Sequence, residues 1–158
     1  MKRKLIYSLT PLFWAISLIC LGQYNPFKGA NRIVITTSMA DKETYLLIAD
    51  QLTQAGIAFT AADNGLLIRS EQPTSLGKQQ AVFEGKLMVN AGLVSLSGWV
   101  RRKEEGKNSA TSDRVAPVTY DTAKNSLQGI GFNYMDALAK RLQVALHGVT
   151  MYKYQKEI

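Results

Sequence analysis

Between Ala81 and Lys103 the chain reads AVFEGKLMVNAGLVSLSGWVRRK, and this run leaves few folds open. It divides into two strands that fold back on each other at Ala91-Gly92. With a two-residue loop there, Val89 faces Val94, Leu87 faces Leu96, Gly85 faces Gly98 and Phe83 faces Val100. Side chains alternate along a strand, so these eight share one face. The other face pairs Met88 with Ser95, Lys86 with Ser97, Glu84 with Trp99 and Val82 with Arg101. The first face is apolar or glycine throughout, and the second is mixed. A slip of one residue would set apolar against polar side chains and is disfavoured. A slip of two keeps the faces sorted, and periodicity leaves it open. Gly92 supplies the positive φ that a tight turn requires. The Gly85–Gly98 pair leaves a gap that a closely approaching helix, or an aromatic such as Tyr134 or Phe132, would fill.

The flanking chain supplies the other layer. Arg32 to Thr37 is β-branched and predicts a first strand. Ser38-Met39-Ala40-Asp41 fits a capping box, with Ser38 accepting from the backbone at Asp41. A helix to about Ala55 follows, with Tyr45, Ile48, Ala49 and Leu52 on one face. Gly56 ends it in the left-handed C-cap conformation. Ile57 to Ala61 and Leu66 to Glu71 are strands joined by the turn Asp63-Asn64-Gly65. Glu104 to Asp113 has no large apolar residue and reads as an exposed loop. Val115 to Tyr120 regains strand character, with Pro117 at an edge or a bulge. From Ile130 the spacing of Ile130, Tyr134, Leu138, Leu142 and Leu146 is helical, and Gly148 is its natural stop. Val149 to Tyr154 is a short last strand or a tail. The order β-α-β-β-β-β-β-α(-β) implies an α+β fold. An antiparallel sheet of five to seven strands carries two helices on one face.

The first 22 residues are set apart. Lys2, Arg3 and Lys4 precede an almost wholly apolar run from Leu5 to Leu21, and Cys20-Leu21-Gly22 offers a small-residue cleavage site. This predicts a signal peptide over 1–22, an extended lead-in over 23–31 and a single α+β domain over 32–158. Two alternatives stand beside cleavage. Ser17-Leu18-Ile19-Cys20 resembles a bacterial lipobox that would lipidate Cys20, and the apolar run is about the minimum length for an uncleaved anchor. All three place the remainder outside the cytoplasm, periplasmic or secreted, with membrane contact only through the anchor or the lipid. Three of the 19 basic residues lie in the leader, which leaves 16 against 12 acidic ones, a net of +4. That balance, without a concentrated basic stripe, argues against nucleic acid. Cys20 is the only cysteine, so the domain has no internal disulfide and rests on its core.

Element order over Arg32–Leu146, with Ser38-Met39-Ala40-Asp41 and Asp63-Asn64-Gly65, resembles the small exported α+β domains of unknown function in Bacteroidetes-type bacteria. It is also similar to helix-grip and TBP-like two-layer folds. The resemblance implies a fold and an export route, and carries no functional residues across.

Catalytic patterns are sparse. His147 is the single histidine, and no triad or zinc site assembles around it. Gly129-Ile130-Gly131 lacks the third glycine of a dinucleotide fingerprint and points to close packing. Arg101-Arg102-Lys103 is followed at once by Glu104-Glu105, which weakens its field. No cofactor is implied. Glu84 opposite Trp99 would suit a sugar, with the indole as stacking surface, but a glycosidase needs a second carboxylate nearby.

Three functions remain. The first is a non-catalytic exported binding or structural module of the envelope, docking an envelope protein or a second copy through Val82, Met88, Leu93 and Trp99 on the mixed face. The second is a carrier of a small apolar ligand between sheet and helices, in a pocket of Phe83, Leu87, Leu96, Leu138 and Leu142. The third is a carboxylate-based hydrolase using Glu71, Glu84 or Asp63.

Overall fold

A computed structural model describes residues 24–63, 65–73, 80–103, 115–121 and 126–156. The signal peptide expected over 1–22, with Cys20, and the loop expected over 104–113 lie outside the described residues. The elements are β1 (Arg32–Thr36), α1 (Asp41–Gln54), β2 (Ala58–Ala62), β3 (Gly65–Pro73), β4 (Gln80–Asn90), β5 (Leu93–Lys103), β6 (Ala116–Pro117), α2 (Leu127–Ala145) and β7 (Val149–Lys153). The fold is α+β. One antiparallel sheet runs in the order β2-β3-β4-β5-β1-β7, with β6 paired to β5.

The long hairpin has the register that its two faces require. Phe83 pairs with Val100, Gly85 with Gly98, Leu87 with Leu96 and Val89 with Val94. The two-residue slip is thereby excluded. Ala91 joins Gly92 at positive φ, 49° and 73°. Two successive left-handed residues make a type I′ turn, whose twist matches the strands.

Neighbouring strands extend the apolar face in step. Ile33 and Ile35 of β1 pair with Leu96 and Val94, and Leu66 and Ile68 of β3 pair with Leu87 and Gly85. Tyr152 of β7 pairs with Ile33. With Ile48 and Leu52 of α1 and Phe132, Met135, Ala139 and Leu142 of α2, these form one buried cluster. Both helices therefore cover the same face of the sheet, because only that face alternates in apolar residues.

The glycine pair does face this core. Its gap is filled by neither Tyr134 nor Phe132 directly, as the sequence suggested, but by Phe83 itself. A Cβ on Gly85 would lie 2.6 Å from the Phe83 ring, and one on Gly98 2.7 Å from it. Tyr134 packs on the outer side of that ring at 4.9 Å between centroids. The close helix approach occurs one turn away. A Cβ on Gly131 would meet Val118 at 2.9 Å and Val100 at 3.1 Å, so this glycine lets α2 settle on β5.

Helix ends depart from the sequence reading in two places. The residue before α1 is Ala40, with no side-chain cap, so the Ser38 capping box does not form. Instead the Thr37 hydroxyl accepts from the Met39 N–H and donates to the Leu146 carbonyl, 3.0 Å away. Asp41, the other half of the expected box, is engaged elsewhere. The end of α2 is a Schellman motif, with the Gly148 N–H on the Gln143 carbonyl and the His147 N–H on that of Val144. Its left-handed residue is His147, at φ 48°, and not Gly148. Gly148 is needed for space, since a Cβ there would strike the Thr36 carbonyl and lie 2.7 Å from the Ile35 side chain. A left-handed histidine is strained, so His147→Gly is expected to raise stability by about 0.5–1 kcal/mol. A urea midpoint shifted upward at unchanged slope is the measurement.

Ser126 caps α2, accepting from the Gly129 N–H at 3.0 Å, so the helix begins three residues before the apolar spacing does. The strand expected over Val115–Tyr120 shrinks to Ala116–Pro117. Beyond it the backbone bonds across to Gly98, Ala30 and Gly29.

Candidate functional site

Asp41 opens α1, and both its oxygens accept from the hairpin turn, Oδ2 from the Ala91 N–H at 2.8 Å and Oδ1 from the Gly92 N–H at 2.9 Å. Thr37 closes the same junction, donating its N–H to the Gly92 carbonyl. The turn's N–H groups, Gly92 first and then Ala91, hold the Asp41 carboxyl below the usual aspartate range. A carboxylate lowered in the folded state adds stability above about pH 4 and loses it as pH falls through the lowered value. Asp41→Asn is thus expected to lower the urea midpoint at pH 7 and to flatten its dependence between neutral and acidic pH. An unchanged acid limb would count against this account. The role of Asp41 is structural, and the hollow it shares with Lys42, Tyr45 and Asp63 is walled by a carboxylate already in use.

Tyr152 gives the second such case. Its hydroxyl donates to Asp136 Oδ1 at 2.5 Å, and Asp136 also pairs with Lys140 at 2.7 Å. Burial, then the bonded carboxylate, pushes the phenol well above its ordinary value. This bond ties α2 to the edge strand β7.

The five residues expected to line a carrier pocket, Phe83, Leu87, Leu96, Leu138 and Leu142, lie between sheet and helices. All are buried in the core cluster, against one another's neighbours and against Phe132, Met135 and Ile48.

The larger hollow lies on the opposite face. A row of paired residues crosses five strands, Ala58–Arg69, Arg69–Glu84, Glu84–Trp99 and Trp99–Pro117, and its first four residues floor the hollow. Thr60 and Leu67 stand beside that row. Together they enclose about 440 Å³, mostly against apolar surface. The volume is that of a small-molecule or side-chain pocket. Trp99 is 38% exposed and Leu67 46%. Glu84 is the carboxylate of this hollow. Its Oε1 lies 3.4 Å from Arg101 Nε, a diagonal pair on the same face. Arg69, exposed, has no ion pair among the described residues.

Trp99 also walls a second hollow of about 210 Å³, with Arg32, Ser97, Gly98, Gln155 and Lys156 around it. Asn31 fixes the chain there, donating to the Gln155 carbonyl at 2.7 Å and accepting from its N–H at 2.8 Å.

Of the four residues singled out for docking, the structure groups them only in part. Trp99 stands between the two hollows. Leu93 is exposed but sits beside the turn, paired with Asn90 and Thr36. Met88 is half-buried, opposite Ser95 and Gly65. Val82 faces the same side yet is only 1% exposed, so it offers no contact surface. Phe27 of the segment before β1 packs against the core. Leu67, Arg69 and Ala58 escaped the sequence reading. Their strands were recognised, but nothing local says which hairpin lies beside β4.

Among the described residues, no group of histidine, cysteine and carboxylate side chains is placed to hold a metal, and no helix is long and apolar enough to cross a membrane. Comparison of the chain with known protein families, with curated proteins and with solved structures gives no match.

Proposed function

We propose that the chain is an exported, non-catalytic binding module of the cell envelope that docks its partner through the outer face of the sheet around Trp99. One observation carries this reading. On the face that neither helix covers, an exposed indole and an exposed leucine wall a hollow of about 440 Å³ over a short row of charged residues. Apolar walls with a few placed polar groups are the usual make-up of a recognition site. The inner face supports a carrier less well, since its candidate residues are packed core. A hydrolase needs two carboxylates at one cleft, and this hollow is lined by Glu84, which Arg101 already engages. Export rests on the leader alone.

Site-specific photo-crosslinking tests the docking face. A benzophenone at Leu67 should give discrete adducts in envelope fractions. One at Val144, exposed on α2 in the other layer, should not. The same adducts from both positions, or none from Leu67, would sink the assignment. Recovery of the chain in the cytoplasmic fraction would overturn export.

A further inference from the structure

The two hollows flanking Trp99 differ in chemistry, and the difference names a ligand class. The larger one is chiefly apolar, between Trp99 and Leu67. The smaller one is lined by Arg32, Lys156, Ser97 and Gln155, and by no carboxylate among the described residues. Arg32 Nε is buried without a hydrogen-bond partner among the described residues. A buried, unpaired guanidinium donor is costly, and the cost is relieved by an anion that accepts from it. Arg32 lies directly opposite Lys153 on β7, so two like charges add at this end of the sheet. The wider face shares that sign. Among the described residues of the strands, Arg32, Arg69, Lys86, Arg101 and Lys153 lie on it against Glu71 and Glu84.

We propose that this face binds a small amphipathic anion in two parts. A flat apolar body lies against Trp99 and Leu67 in the larger hollow. Its acid group, a carboxylate, sulfonate or phosphate, reaches past the indole to Arg32 and Lys156. The inference rests on the outer face being the binding face, and it adds the chemistry of what is bound. The acid group does not go to Arg69, because Glu84 occupies the same hollow and would repel it. Trp99 is the partition, touching the body on one side and bordering the anion site on the other. A free amphipathic molecule fits better than a membrane surface, because the body enters a hollow of fixed volume.

The test uses two fluorescent probes with one aromatic body. 1-Anilinonaphthalene-8-sulfonate carries an acid group, and N-phenyl-1-naphthylamine does not. In the full chain with Trp14→Phe, Trp99 is the only tryptophan and reports contact by energy transfer. The anion should saturate one site and bind at least tenfold more tightly than the neutral probe. Lys156→Gln and Arg32→Gln should each weaken the anion about fivefold or more and leave the neutral probe unchanged. Lys156 is exposed, so its variant stays informative if Arg32→Gln folds poorly. Lys42→Gln on α1 should change neither. Trp99→Ala, followed by probe emission, should weaken both. Equal affinity for the two probes, or anion preference untouched by both basic-residue variants, overturns the proposal. Adducts at Leu67 alongside such a failure would leave the docking face standing and remove only the anion. Loss of both would remove the docking face as well.

Discussion

Phe83→Ala is expected to destabilise the domain by about 3–5 kcal/mol, the largest effect of any single side-chain truncation in the sheet. Phe83 is fully buried on β4. Its ring does what two absent side chains would otherwise do, lying over Gly85 and Gly98 on adjacent strands. Removing it opens a cavity floored by the backbone of two glycines, which have no side chain to turn into it, and strips Tyr134 of its ring contact. The arrangement makes a sharper prediction in a double-mutant cycle. Gly85→Ala alone should cost stability, since its methyl would strike the Phe83 ring at 2.6 Å. The next neighbour of that methyl is the Ser97 carbonyl at 3.6 Å, an ordinary contact. In the Phe83→Ala background Gly85→Ala should therefore be neutral or mildly stabilising. The coupling should exceed about 1 kcal/mol. Urea denaturation of the four proteins measures it, and additive costs would show that the ring is not what keeps position 85 a glycine. Gly98→Ala should be rescued less, because its methyl also meets the Glu84 carbonyl at 2.9 Å.

The same residues show what a single sequence exposes. Alternation along Ala81–Lys103 determines both faces and the register of the hairpin, because one slip would put charge into the core. It extends to the fold class, since two amphipathic helices and one apolar sheet face have a single way to meet. The order of strands in space is less visible. β1 inserts between β5 and β7, and nothing in Arg32–Thr36 distinguishes a central from an edge strand. Caps failed for a related reason. Ser38 and Asp41 match a local motif, but the turn at Ala91-Gly92, fifty residues away, claims the carboxylate. Gly148 matches a local stop signal, but a neighbouring carbonyl, and not backbone conformation, requires glycine there. The site was half legible. Trp99 stood out as a large aromatic on a mixed face. The hollow beside it depends on Ala58, Leu67 and Arg69 arriving from a second hairpin, and that placement is a property of the sheet.

Trp99→Ala should weaken docking to the outer face by thirtyfold or more, about 2 kcal/mol, while the domain still unfolds cooperatively. Three features put the indole at the centre. It is the largest exposed side chain on the row from Ala58 to Pro117, it walls both hollows, and Glu84 beside it is held by Arg101 rather than by the ring. An anchor flanked by side chains that exclude water gains most from burial, whereas contacts at a rim gain little. The comparison that isolates it is Leu93→Ala. Leu93 is an exposed apolar residue of the same strand and face, but it lies beside the turn and lines neither of the two hollows. Its loss should change binding less than threefold. Isotherms against the species cross-linked at Leu67 give both numbers, and urea curves on the same proteins separate lost binding from lost fold. If Leu93→Ala and Trp99→Ala weaken binding equally, the partner lies along the whole hairpin face as a flat contact. If only Trp99→Ala does, recognition is concentrated in the hollow. The apolar body of whatever binds fills that hollow, and Arg69, Glu84 and Thr60 at its margin set which polar groups can accompany it.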